Sequence, residues 1–268
     1  MKEKISNYQV FWLNLAMIMP TFVLIVPKTL AESDKLGWVS AIFSGTSTGF
    51  LQYLLLKLSF DFSNKSVIQD CMALLGSIIG KIIILPYIFV ILLDTTLILY
   101  EIVIFIKVVM PRSSYIVTSI ALALLETYAT YTGIENLARL SVIAMFIMIA
   151  STVLILIITI FYFDLFNFNR LKPIVFNFKS IVRRSLVSSD WFRLILTLLL
   201  IFKPYLKNKN GTIKSSLLGN LLIQLIIVIL FIFSIAVFEI NLTKNLSFPF
   251  YNLTKSITRG SETIVFFM

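Results

Sequence analysis

The stretch NLAMIMPTFVLIVPKTLAES (Asn14–Ser33) decides how this chain folds, because it is apolar enough for lipid yet carries two prolines. Pro20 and Pro27 each remove a backbone N–H and crowd the preceding turn, at about 3 kcal/mol or more inside a helix. In hydrocarbon the carbonyl so released finds no water, and broken helix survives there only against protein or a wet cavity. Pro20 lies about fifteen residues into the apolar run, near mid-membrane at a rise of about 1.5 Å per residue. The stretch therefore predicts a first helix either kinked or broken near Pro20, with the Thr21 hydroxyl beside that point.

The rest of the sequence places that helix in a membrane. Of 268 residues, 59% are hydrophobic and 13% charged, against about 45–50% and 25% in a soluble domain. Charge is absent over Ile5–Pro27, Leu36–Leu56, Leu140–Phe163 and Ser215–Phe238. Each run exceeds the roughly 20 residues that cross about 30 Å of hydrocarbon. Ile82–Ile106 is interrupted only by Asp94 and Glu101, and Ser113–Ile134 only by Glu126. The expected helices are Tyr8–Leu30, Gly37–Leu58, Lys81–Val109, Ser114–Tyr131, Glu135–Phe163, Trp191–Leu206 and Ile213–Glu239. Between the second and third, the polar segment around Val67–Ile78 predicts an amphipathic helix at the interface, with Ser63 or Asn64 as its N-cap. The lysine-flanked start is too long an apolar run for a cleaved secretory signal and reads as a retained helix.

Composition also excludes functions. The chain has no histidine and one cysteine, Cys71, which removes histidine-based nucleophilic catalysis, histidine-ligated metal and any internal disulfide. A net charge of +10 fits basic loops against anionic headgroups and not nucleic acid, since no soluble basic domain is present. No Gly-rich phosphate loop and no nucleophile–base pair accompany the acids, so no enzyme and no cofactor is expected.

Two intramembrane acids stand out. Asp94 and Glu101, seven residues apart, share one face of the third span about 10 Å apart along its axis. Carboxylates cost several kcal/mol in a bilayer unless neutralised or facing a cavity, which makes them functional candidates. Asn220 and Gln224, four apart on the last span, read as helix–helix glue.

These residues carry a family likeness. ISNYQVFWLNLAMIMPTFVLIVPKTLAESDKLGWVS (Ile5–Ser40) resembles the opening of the endospore germinant-receptor B subunits, of the spore germination permease type. Ile5, Ser6, Tyr8 and Gln9 match its Ile-Ser-x-Tyr-Gln pattern, and Leu30–Glu32 match a Leu-Ala-Glu turn. LYEIVIFIKVVMP carries a matching glutamate at Glu101, and YATYTGIENLARL resembles a Gly-Ile-Glu-x-x-Ala-Arg segment at Gly133–Arg139. KPYLKNKNGTIKSSLLGN and LSFPFYNLTKSITRG extend the likeness to nearly the whole chain.

The resemblance implies an all-α polytopic membrane protein with the LeuT-like inverted-repeat fold of the amino acid–polyamine–organocation transporters. It would be one membrane domain, with a first repeat over about 5–164 and a partial second over about 170–268. About seven spans and the start of an eighth would be present, with helices 1 and 6 broken, the latter at Ser188–Ser189. The implied site joins Pro20, Thr21, Phe22, Asp94, Glu101, Ser188 and Ser189. Family members usually carry glycines at the helix 1 break, where this chain has Pro20 and bulky Phe22. The implied ligand is a small nutrient such as an amino acid, and the implied partners are the A and C germinant-receptor subunits in the spore inner membrane. An amino-acid secondary transporter, or a truncated copy without function, are the alternative expectations.

Overall fold

A computed structural model describes residues 4–63, 65–162, 166–172 and 178–258. Nine α-helices are described: α1 (Asn7–Ala31), α2 (Gly37–Phe62), α3 (Val67–Leu75), α4 (Ser77–Val109), α5 (Tyr115–Tyr131), α6 (Ile134–Tyr162), α7 (Phe178–Phe202), α8 (Lys209–Asn245) and α9 (Pro249–Thr258). The described residues form no strand, only an isolated parallel bridge between Ile5 and Leu206. The protein is thus an all-α polytopic membrane protein, with α1, α2, α4, α6 and α8 each long and apolar enough to cross a bilayer. The other two expected spans fall short of that measure. α5, at 17 residues, reaches about 26 Å, and α7 carries Arg183, Arg184 and Arg193 among its apolar residues.

The opening motif has a structural cause. Ser6 caps α1 by accepting from Gln9 N at 3.3 Å, while Gln9 Oε1 accepts from Ser6 N at 2.8 Å, a reciprocal capping box. Ile5, fully buried, donates from its N–H to Tyr205 O at 2.8 Å and accepts from Lys207 N at 3.2 Å. Residues that look like a signature in sequence therefore start the first helix and dock its leading end on the segment after α7.

α1 is the axis of the bundle. It packs chiefly on α8, with α6, α7 and α9 around it, and its buried residues point to all sides. Here the structure corrects the expectation of a break: α1 is helical from Asn7 to Ala31 through both prolines. Each proline forfeits one backbone bond, but neighbours on every side hold the rod, and Thr21 Oγ1 donates to Ile18 O at 3.4 Å. α7 likewise runs unbroken through Ser188 and Ser189. Two of its serines turn inward to their own helix, Ser185 Oγ donating to Val182 O at 2.8 Å and Ser189 Oγ to Ser185 O at 2.6 Å. A hydroxyl that bonds its own preceding turn bends a helix at most slightly.

The discontinuity lies instead in α8, where Glu239 adopts φ 61°, ψ 168°, a region nearly reserved for glycine. It falls at the end of the charge-free run Ser215–Phe238, so the unwound turn sits where polar partners are available. Ala236 O accepts from Asn167 N at 3.1 Å and from Arg170 Nη1 at 3.1 Å, and Arg170 also reaches Val237 O. Arg170 Nε stands 3.5 Å from Glu239 Oε1. One guanidinium thus satisfies carbonyls that a continuous helix would have bonded itself.

α2 and α8 are joined by the amide side chains expected to act as glue. Asn220 Nδ2 donates to Gly45 O at 3.2 Å and Gln224 Nε2 to Ile42 O at 2.8 Å. Gly45 makes the notch: a Cβ there would lie 2.5 Å from Gln224 Cδ. At Gly37 the constraint is harder, because a Cβ would meet Leu30 O at 2.4 Å and the fully buried Phe231 ring at 2.5 Å. Gly37→Ala is therefore expected to destabilise the bundle by about 1–3 kcal/mol through overpacking. Heat-dependent labelling of Cys71 by a thiol-reactive dye, shifted to lower temperature, would show it; an unshifted curve would refute the clash.

The amphipathic helix forms as α3, but its cap is Ser66, which accepts from Gln69 N at 3.4 Å. Ser63 instead ends α2 and hydrogen bonds Asp70; Asn64 lies outside the described residues. The capping box Ser66–Gln69 repeats the device at Ser6–Gln9, and its Ser-x-x-Gln spacing was readable in the sequence.

Candidate functional site

A cavity of about 360 Å³ opens between α1, α4, α6 and the segment leading into α9. Pro20 and Thr21 form one wall, Glu101 and Phe105 a second, Ser151 and Thr152 a third, and Phe248 and Phe250 the fourth. Its size is that of a small-molecule site, lined largely by apolar side chains with a few convergent polar groups. Glu101 supplies the charge. Its Oε2 is buried and has no hydrogen-bond partner among the described residues. The three hydroxyls are committed as donors, Thr21 to Ile18 O, and Ser151 and Thr152 to Met148 O at 2.9 and 2.8 Å. Each retains lone pairs that can accept.

The structure divides the residues that the sequence grouped. Pro20, Thr21 and Glu101 share this cavity. Phe22, next in sequence, points the other way and is 2% exposed in the hydrophobic core. Asp94 is elsewhere, gripped by both terminal nitrogens of Arg193 on α7 at 3.0 Å each. Such a bidentate pair neutralises the carboxylate within the apolar length of α4. Ser189 and Arg193 line a second cavity of about 320 Å³ between α2 and α7, together with Thr48 and Gln52. Ser188 is buried at 2% exposure, and its Oγ has no partner among the described residues.

Ser151, Thr152, Phe105, Phe248 and Phe250 were not among the expected site residues. A hydroxyl pair in the charge-free run Leu140–Phe163 was the available signal for Ser151 and Thr152. The phenylalanines carried none, because an aromatic in a span reads equally as core or lipid contact.

A bundle with five helices long and apolar enough to cross a bilayer, and a ligand-sized cavity lined by one carboxylate, defines a multi-pass membrane protein. Comparison with known families gives the particular one. A profile described as spore germination protein matches residues 4–264, and the chain belongs to that family. Neither the curated proteins nor the solved structures yielded a match.

Proposed function

We propose that this multi-pass protein is a membrane germinant-receptor subunit that admits a small nutrient to the Glu101 cavity and so triggers germination. The observation that carries this is Glu101, which lines a space of about 360 Å³ and whose Oε2 is buried without a hydrogen-bond partner among the described residues. An intramembrane carboxylate that no neighbour neutralises is costly, and a cationic ligand group would complete it. The family likeness supports the spore inner membrane as location and A and C receptor subunits as partners. Large apolar side chains of α4 and α5 remain exposed, and they offer faces for lipid or for those subunits. An amino-acid permease of the same architecture would use the same carboxylate; accumulation of labelled nutrient in proteoliposomes would distinguish it from a receptor.

Glu101→Gln keeps the shape and removes the charge. Spores carrying it are expected to need at least about tenfold more nutrient for half-maximal germination, the loss of one charge-assisted hydrogen bond. Unchanged dose–response curves for every nutrient that acts through this subunit would overturn the proposal.

A further inference from the structure

We infer that the ligand of the Glu101 cavity is a monocation, an amine on an apolar body, and not a zwitterionic amino acid. The inference rests on the binding role proposed above and concerns what the site can recognise. A zwitterion brings a carboxylate, and a carboxylate needs donors. Among the described lining residues, Glu101 is the only charged side chain. The hydroxyl protons of Thr21, Ser151 and Thr152 are already given to Ile18 O and Met148 O. What these groups offer is lone pairs. Unbroken α1 also withholds the backbone amides that a gap at Pro20 would have freed, since its N–H groups stay in the helix and Pro20 has none. α9 begins on Pro249, so its first helical residue too lacks an N–H. Among the described lining residues the polar side chains are therefore one anion and three acceptors, and the donors left are the first-turn amides of α9 after Pro249.

That set matches an ammonium, which has three donors and no acceptor. The remaining walls match what the ammonium would carry. Phe105 and Phe248 meet edge to face at 5.4 Å between centroids, and Phe250 and Met148 extend the apolar surface. Aromatic rings favour a nearby cation and an apolar body alike. At about 360 Å³ the cavity is at the small end of ligand sites. It suits a compact arylalkyl or alkyl amine.

The test compares one body with and without the carboxylate. Purified full-length protein in nanodiscs is titrated with tritiated phenethylamine and, separately, with tritiated phenylalanine, alongside the Glu101→Gln variant with an unchanged size-exclusion profile. Saturable phenethylamine binding at least about tenfold tighter than phenylalanine, and lost in Glu101→Gln, is the expected result. Phenylalanine binding as tightly as the amine, through the remaining first-turn amides of α9, would overturn the inference and leave the cavity standing as a nutrient site. Amine uptake equal in Glu101→Gln and in protein-free nanodiscs would be lipid partitioning and would also overturn it. Absence of binding across a series from ethylamine to phenethylamine would do the same. The germination response of Glu101→Gln spores then decides separately whether the cavity takes a nutrient of another class.

Discussion

Replacing Lys203 by Met is expected to lower the temperature at which Cys71 becomes reactive more than any other single change considered. Lys203 follows α7 directly, and its side chain is 1% exposed. Its Nζ donates to Ser59 O at 2.9 Å, to Ser59 Oγ at 2.8 Å and to Asp70 Oδ2 at 2.7 Å. All three ammonium protons are thus used, and they tie the end of α2, the start of α3 and the end of α7 into one knot. Met fills nearly the same volume and gives no donor. Asp70 then keeps Ser63 as a partner but loses its countercharge, at about 3–5 kcal/mol for a broken buried pair. Cys71 adjoins Asp70, is the chain's one cysteine and is half-buried, so a rise in its labelling above the native rate reports the opening of this knot. Adding Asp70→Asn to Lys203→Met is expected to recover part of the loss, because the stranded charge is removed as well. A labelling curve for Lys203→Met that overlies the native one would contradict the role given to this lysine.

The second large effect concerns Asp94 and Arg193. Asp94→Leu removes the carboxylate that both terminal nitrogens of Arg193 grip between α4 and α7, and a loss of about 1–3 kcal/mol is expected. The informative variant is the double one. Asp94→Leu with Arg193→Leu removes both charges, and apolar replacement of a buried pair is commonly neutral or stabilising. Thermal denaturation in detergent, followed by loss of the monodisperse peak, should place the double variant close to native and well above Asp94→Leu. If Asp94→Leu alone is as stable as native, the pair does not hold α4 to α7. Germination separates Asp94 from Glu101 further: the double variant should keep its nutrient response, and Glu101→Gln should not.

The sequence carried the class of the fold, because charge-free runs longer than a bilayer is thick have one physical meaning. It also carried the motif at Ile5–Gln9, although its meaning as a capping box and a docked bridge residue emerged only with Tyr205 and Lys207 beside it. It misplaced the break. Proline announces a lost hydrogen bond, but whether a helix opens depends on its neighbours, and α1 is enclosed by them. Glu239, by contrast, has no local signal for φ 61°; its conformation is held by Arg170, about seventy residues earlier in the chain, and no local window spans both.

The acids show the same limit from another side. Asp94 and Glu101 lie on one face by helical arithmetic, yet one is spent on an ion pair and the other lines a cavity. The difference is the position of Arg193, which lay in the expected span Trp191–Leu206 but carried no signal that it pairs across to α4. Glu101 was legible as a candidate because a carboxylate in a long apolar run has few reasons to be there. The hydroxyl and aromatic residues around it were not, since each is individually ordinary.

The grip of Asn220 and Gln224 on the backbone of α2 bears on how this protein can change shape. Two amides one turn apart hold carbonyls at Gly45 and Ile42, and Gln224 is seated in a slot that exists only at Gly45. Piston-like sliding of α8 along α2 would have to tear out both anchors and lift the side chain over the next ridge. In the receptor role proposed above, a signal from the Glu101 cavity is expected to travel by tilting or rotation of the outer helices, with α2 and α8 keeping their axial register.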